Sequence, residues 1–200
     1  MSEKRNSIKD DFTLMAMMLI PIAIAVNIIG GQIAVLLKLP VYLDTIGTLL
    51  IAILAGPWVG ALTGLLSNLF NSIFDPVFIP YAIVSVAVGL AAGFFSRAKL
   101  FLTIWKTILV GILIGLLAAI VSAPITAYLF GGVTGSGSTL ITGVLMAAGQ
   151  NLIEAVLTSS IISDLADKTI SCLICFFIIK SMSSRYLSKF SLGENFFRES

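Results

Sequence analysis

Long apolar stretches alternate with short polar or glycine- and proline-containing segments along this chain. The stretches cover 12–29, 41–55, 58–74, 81–96, 100–130, 139–162 and 169–182. Several are shorter than the roughly 20 residues that a lone transmembrane helix needs, which a helix bundle tolerates. The pattern predicts an all-α integral membrane bundle. A polar segment 1–11 precedes a single domain over 12–183, and a basic tail over 184–200 follows it.

The number of crossings depends on segment 139–162, which is apolar but holds three polar residues. Basic residues gather in the N-terminal segment, in 97–106 and in the tail, whereas 75–80 and 131–138 contain no Lys or Arg. The positive-inside rule then places both termini in the cytoplasm after six crossings, with Lys38 as an external exception. We expect six transmembrane helices, with 139–162 bent, re-entrant or continuous with the last helix.

Composition supports a membrane location and excludes a soluble globular protein. Apolar residues make up 58% and charged residues 11% of the chain, against about 45–50% and about 25% in soluble domains. Twelve basic and ten acidic residues leave a net charge of +2. Such scattered charge forms no phosphate-binding stripe, so we expect no nucleic-acid partner.

The chain lacks the residues that several classes of enzyme need for catalysis. The chain has no histidine, which excludes a Ser–His or Cys–His pair and a His-ligated zinc site. No Lys-Ser/Thr pair follows a G-x-x-x-x-G sequence, so the chain shows no means of hydrolysing ATP. Cys172 and Cys175 lie in an apolar run, where packing is favoured over redox or metal chemistry. We expect no enzyme activity, no metal and no cofactor.

Glycines recur at four-residue spacing on three predicted helices. They are Gly56, Gly60 and Gly64, then Gly89 and Gly93, then Gly111 and Gly115. Small residues let helix backbones approach closely in lipid, where packing replaces the hydrophobic drive. These stripes either hold the chain's own helices together or form a face that docks another membrane protein.

Polar side chains at membrane depth are the candidates for function, because each costs free energy unless it is paired or hydrated. Under the six-span topology they gather toward the external end, as Gln32, Tyr42, Asp44, Asn68, Asn71, Asp75, Tyr81, Gln150, Asn151 and Glu154. Glu154 stands among apolar neighbours and needs a partner, either Lys168 or a bound ligand. The set predicts an externally open pocket for a small polar molecule, rather than an ion pathway with charges throughout the membrane.

Structural roles compete with binding for several polar residues. Asn27 and Asp44 fit helix caps or interhelical hydrogen bonds, and Asp75 with Pro76 fits a turn or a cap. The two aspartates and the lysine of 164–168 could also pair among themselves.

Three segments resemble the S component of energy-coupling factor (ECF) transporters. They are AGPWVGALTGLLSNLF at 55–70, the ending DLADKTISCLICFFIIKSMSSRYLSKF at 164–190, and GGVTGSGS at 131–138. The resemblance extends over about 12–190. It implies a six-helix protein of the bacterial cell membrane that binds one vitamin from outside. It also implies three partners, namely a transmembrane coupling subunit and two cytoplasmic ATPases.

The resemblance also indicates a pocket and a docking face. In the family, the pocket uses the loop after helix one and the outer parts of helices four to six, which correspond here to 32–40, the region near Tyr81, and 150–154. The docking face on helix one often carries Ala-x-x-x-Ala. On helix one of this chain the candidates are Ala16, Ala23 and Ala25, and no two of them are four residues apart.

The polar set weakly favours a neutral or amine-bearing vitamin such as pyridoxine, riboflavin or thiamine. Only Lys38 and Lys168 could meet an anion, and pantothenate and cobalamin stay open. The alternatives are a self-contained small-solute transporter or channel, which the absence of inverted repeats disfavours, and a membrane sensor domain.

Overall fold

The computed structural model describes residues 8–197, and its regular elements in this range are all helices. They are α1 (Ile8–Asp11), α2 (Leu14–Leu36), α3 (Ile46–Ala55), α4 (Pro57–Asn71), α5 (Phe78–Arg97), α6 (Ile104–Phe130), α7 (Gly137–Ala147), α8 (Leu152–Ser181) and α9 (Ser184–Leu187), followed by a 3-10 turn at Gly193–Phe196. The all-α class predicted from the sequence is confirmed.

Three of these helices, α2, α5 and α6, are long and apolar enough to cross a membrane. They contain 23, 20 and 27 residues, which exceeds or matches the roughly 20 that a bilayer core requires. Two shorter helices, α3 and α7, are also apolar. These features are those of a membrane protein.

Glycines let α4 and α5 pack against each other in antiparallel orientation. A Cβ added to Gly89 would lie 2.5 Å from the carbonyl carbon of Gly60, and one on Gly93 would lie 2.2 Å from the backbone nitrogen of Pro57. No side chain larger than hydrogen fits between these backbones. The stripe on each helix therefore binds the other helix of the same chain.

The same device joins α6 to α8. A Cβ on Gly111 would lie 2.7 Å from Cα of Thr169, and one on Gly115 would lie 2.8 Å from Cα of Leu165. Residue numbers rise on one helix as they fall on the other, so this pair is antiparallel too. Of the two roles expected for the small-residue stripes, holding the chain's own helices together is confirmed.

One predicted helix boundary is wrong, and the structure distinguishes among the alternatives left open for segment 139–162. The first helix continues through Gly30 and Gly31 to Leu36. Instead of ending the helix, these two glycines make room for the chain at Leu43 and Asp44, respectively. Segment 139–162 divides between α7 and α8, with Gly149 at φ 97° in the break. Its second half is continuous with the last helix, as one of the three alternatives proposed.

Both chain ends of the described range close one end of the bundle. Ser191 Oγ donates to the carbonyl of Ala55 at 2.6 Å, so the segment predicted as a tail caps the end of α3. Asp11 accepts from Arg97 at 2.7 Å and from the backbone of Trp58 at 3.3 Å. Burial raises the pKa of the Asp11 carboxyl, and the bond from Arg97 opposes this shift.

A charged cavity at one end of the bundle

A cavity of about 340 Å³ opens at the end of the bundle opposite Asp11 and Arg97. Its walls come from the end of α2, the segment before α3, the α4–α5 connection, the last turns of α6, the loop before α7 and the middle of α8. Five of the residues predicted as binding candidates line it, namely Gln32, Tyr42, Asp44, Asp75 and Tyr81.

One wall of the cavity is a non-helical segment, 37–45, between α2 and α3. Because α3 has only 10 residues, it is only about 15 Å long, and segment 37–45 connects its start to the end of α2. Leu43 takes a left-handed conformation at φ 53°. The backbone N–H groups of Tyr42 and Leu43 donate to Asp167 Oδ1 at 3.0 and 2.7 Å. Unwound backbone at membrane depth is tolerated where it lines a cavity and finds such partners.

Lys168 connects this segment to α8. Its ammonium contacts Asp167 Oδ2, donates to Thr45 Oγ1 at 3.0 Å and lies 3.8 Å from Asp44 Oδ1. It also lies 5.8 Å from the ring centre of Tyr42. The close contact with Asp167 neutralises the lysine, so the pair holds the segment in place with little net charge.

Asp164 lies one helical turn before Lys168 and faces the same cavity. Its residue is only 3% exposed. Ser122 Oγ donates to its Oδ2 at 3.0 Å, and within residues 8–197 this is the one hydrogen bond that its side chain makes. The second carboxylate oxygen therefore borders the cavity without a hydrogen-bond partner.

The mouth of the cavity is ordered by aromatic and hydroxyl contacts. The hydroxyl of Tyr81 bonds to Thr126 Oγ1 at 2.6 Å, and its ring stacks on Phe130 with centroids 5.9 Å apart. In the loop before α7, Ser136 Oγ bonds to Thr134 Oγ1 at 2.8 Å. These bonds fix the α5–α6 wall and the glycine-rich loop around the opening.

Two predicted binding residues on α4 face the packed interior instead of the cavity. Asn68 donates to Ser85 Oγ at 2.5 Å and to the carbonyl of Gly64 at 3.2 Å. Asn71 is 4% exposed and does not line the cavity. The structure thus gives Asn68 an interhelical bond, the role that α4–α5 packing requires.

The three candidates near the start of α8 also lie outside the cavity. Asn151 caps α8 by accepting from the backbone N–H of Glu154 at 3.0 Å. The side chains of Asn151 and Glu154 are exposed. Gln150 is half-buried and does not line the cavity. Glu154 was expected to pair inside the bundle with Lys168 or a ligand. The structure contradicts this, because Glu154 lies in the first turn of α8, which begins at Leu152, and is exposed.

The structural alternatives for two other residues have different outcomes. Asp75 Oδ1 accepts from the backbone N–H of Val77 at 3.0 Å, so the predicted turn at Asp75 and Pro76 is confirmed, although Asp75 also lines the cavity. Asp44 makes no cap bond, and its Oδ1 is buried without a hydrogen-bond partner in the described residues. It belongs to the cavity.

The sequence did not predict Asp164 as a cavity residue. The pairing expected within 164–168 is confirmed for Asp167 with Lys168, whereas Asp164 lines the cavity. The available signal was the four-residue spacing of Asp164 and Lys168, which puts both on one face of a helix. That signal becomes informative only when α8 is one helix of 30 residues, because both then lie near its middle.

The predicted docking residues on α2 do not share one accessible face. Ala16 is fully buried and Ala23 is 7% exposed, whereas Ala25 is exposed. Ala16 and Ala23 pack inside the chain itself, where a Cβ on Gly47 would lie 2.1 Å from the carbonyl oxygen of Ala23. A docking surface built on all three is therefore excluded.

Within residues 8–197, no group of three or more Cys, Asp or Glu side chains is arranged to hold a metal ion. Comparisons with protein-family models, curated proteins and solved structures found no match for this chain.

Proposed function

We propose that this chain is the S component of an ECF-type transporter and captures a small water-soluble vitamin from outside the bacterial cell. In this proposal it is not an enzyme; a transmembrane coupling subunit and two ATPase subunits supply the energy. The observation that carries the proposal is the cavity of about 340 Å³ between helix ends, in which a few charged side chains lie among apolar walls. Sites for small molecules have volumes of about 300–1,000 Å³ and few polar groups among apolar walls.

The distribution of basic residues supports an outward-facing cavity. The end of the bundle opposite the cavity carries Arg97, Lys99, Lys106, Lys180, Arg185 and Lys189. The cavity end carries Lys38. Cytoplasmic segments are enriched in Lys and Arg, so this asymmetry favours a cytoplasmic location for the end that holds Asp11 and Ser191.

Successive helix directions support six passages. The helices α2, α3, α4, α5, α6 and α8 alternate between the two ends, as the antiparallel glycine contacts of α4–α5 and α6–α8 illustrate. The short α3 completes its passage with the unwound segment 37–45, and α7 lies at the cavity end. This arrangement agrees with six crossings and with cytoplasmic termini.

Ligand binding by the purified chain tests the proposal directly. The full chain in detergent micelles is screened by thermal unfolding against a panel of water-soluble vitamins, without ATP. We expect one vitamin to raise the melting temperature and to bind without any partner subunit. Replacement of Tyr81, which borders the cavity, by Ala is expected to weaken that binding. A panel with no stabilising vitamin would count against the proposal.

Uptake measurements separate an S component from a self-contained transporter. Cells that produce the chain alone are compared with cells that also produce an ECF coupling subunit and its two ATPases. We expect accumulation of the labelled vitamin only in the second strain. Equal accumulation in both strains would favour the self-contained transporter.

Topology is tested with cysteines at the two ends of the bundle. Cys172 and Cys175 are buried, which lowers the background of a thiol reagent. Lys38→Cys is expected to react with a membrane-impermeant maleimide in intact cells, whereas Lys106→Cys reacts only after permeabilisation. The reverse labelling pattern would turn the cavity toward the cytoplasm.

A further inference from the structure

We infer that the ligand of this cavity carries a positively charged organic nitrogen, which Asp164 binds directly with Asp44 as the neighbouring carboxylate. This inference rests on the proposed function, because it specifies the class of molecule that the cavity holds. The sequence favoured neutral or amine-bearing vitamins, and this inference restricts the expected ligands to those with a positive charge.

The first argument is the charge around the cavity. Among the described residues, its acidic and basic lining groups are the carboxylates of Asp44, Asp75 and Asp164 and the ammonium of Lys168. Asp167 lies behind the lining and contacts Lys168 directly, so the lysine is already neutralised from outside the cavity. The lining thus holds an excess of negative charge that favours a cation and disfavours an anion.

The second argument is the incomplete bonding of Asp164. This residue is 3% exposed, and only Ser122 donates to it among residues 8–197. Its free oxygen borders the cavity. A buried carboxylate without a full set of partners costs free energy, and at membrane depth such residues mark binding sites. A cationic nitrogen in the cavity supplies the missing charge-assisted hydrogen bond.

The third argument concerns size and aromatic lining, which favour an organic cation over a bare metal ion. The cavity of about 340 Å³ is far larger than one ion. Tyr42 and Tyr81 border it, together with Phe74 and Phe78. Aromatic faces attract cationic nitrogen groups, and the apolar rings can pack against the rest of an organic molecule.

The test compares pairs of probes that differ mainly in charge. Pyridoxamine is paired with pyridoxine, and choline with its neutral carbon analogue dimethylbutanol; thiamine is added as a further cation. Small molecules released from the purified full chain are first identified by mass spectrometry, and each probe is then titrated by thermal unfolding. We expect a cationic probe or a cationic released molecule, bound about tenfold more tightly than its neutral counterpart.

Two variants on α8 assign the preference to a residue. Asp164→Asn keeps the shape but removes the charge, and we expect the preference for the cation to disappear while the neutral member binds within about twofold of its former affinity. Glu154→Gln removes a carboxylate from the same helix outside the cavity, and we expect it to keep the preference.

Three results would overturn the inference. A neutral or anionic molecule that binds more tightly than every cation would do so, as would a cation preference that survives Asp164→Asn. Sodium or magnesium chloride alone, if either stabilised the chain as strongly as the organic cations, would reduce the site to an inorganic cation site. Melting temperatures of the two variants without ligand confirm that both are folded.

Failure here is distinguishable from failure of the proposed function. A tightly bound neutral vitamin, taken up only with the coupling subunit and ATPases, would overturn the cation inference and leave the transport proposal standing. Cation binding without partner-dependent uptake would do the opposite. If no vitamin of either charge binds or is released from the chain, both proposals fail.

Discussion

Two of the buried polar groups in residues 8–197 differ in how completely they are hydrogen-bonded. The first surrounds Asn27, which is fully buried. Its Nδ2 donates to Thr48 Oγ1 at 2.8 Å and to Ser67 Oγ at 2.9 Å, and its Oδ1 accepts from the backbone of Gly47 at 2.7 Å. Asn27 thereby joins α2, α3 and α4 and caps the start of α3, so its predicted role as a cap or interhelical bond is confirmed.

The second group surrounds Lys168, where carboxylates outnumber the ammonium. Asp167 is satisfied by two backbone N–H groups and the lysine, whereas Asp164 and Asp44 each keep an oxygen without a hydrogen bond in residues 8–197. A polar group whose donors and acceptors are all used stabilises the fold and has nothing left for a ligand. Unused acceptors beside a cavity are available to a bound molecule.

The largest expected effect follows from removing the lysine of the second group. Lys168→Met leaves Asp167 and Asp44 without their cation, and we expect the free energy of unfolding to fall by about 3–5 kcal/mol. Titration with SDS in mixed micelles measures it. The double variant with Asp167→Asn is expected to be more stable than Lys168→Met alone. An effect below about 1 kcal/mol would mean that the pair does not hold the unwound segment.

Removing the Asn27 side chain should lower the free energy of unfolding by less than Lys168→Met does. It should leave ligand binding unchanged. Asn27→Ala removes three side-chain bonds to α3 and α4, each worth about 0.6 kcal/mol in a membrane protein. With the unsatisfied groups left behind, we expect a loss of about 2–3 kcal/mol in the same titration. The folded fraction is expected to bind ligand normally. Asn195→Ala, at the opposite end of the bundle, is the control and should change stability by less than about 0.5 kcal/mol. Weaker ligand binding by folded Asn27→Ala protein would remove the distinction between the groups.

The sign of the effect should reverse at Asp164. Asp164→Asn removes an incompletely bonded charge, so without ligand we expect unfolding to require about 1 kcal/mol more free energy. With the ligand bound, the variant is expected to be less stable than the natural chain. Unfolding measured in the presence and absence of ligand checks both signs, and equal destabilisation in the two conditions would indicate a structural role like that of Asn27.

The smallest effect is expected at the start of α8. Glu154 is exposed and lies outside both groups, so Glu154→Gln should change the free energy of unfolding by no more than about 0.5 kcal/mol. The same unfolding titration, run beside Asp164→Asn, provides the comparison. A change as large as that at Asp164 would show that carboxylate removal anywhere on α8 has the same consequence.

The candidate site was partly predictable from the sequence. Tyr42, Asp44 and Tyr81 stand beside predicted helix ends, and helix ends at one side of a bundle meet in space, so their place in the cavity follows from the order of the helices. Asn68 and Glu154 look equally suitable in the sequence. The structure separates them from the site because Asn68 faces Ser85 on α5 and Glu154 faces outward from the first turn of α8.

The chain's apolar stretches and its glycine spacing by themselves determined an all-α membrane bundle with closely packed helix pairs, since both depend on local periodicity. Tertiary structure alone decided which polar groups are satisfied. Asp164 is bonded by Ser122, and Lys168 donates to Thr45, which lies 123 positions earlier in the chain. Pairing between distant segments leaves no periodic trace in the sequence, whereas the surplus of carboxylates over donors is visible once those segments are brought together.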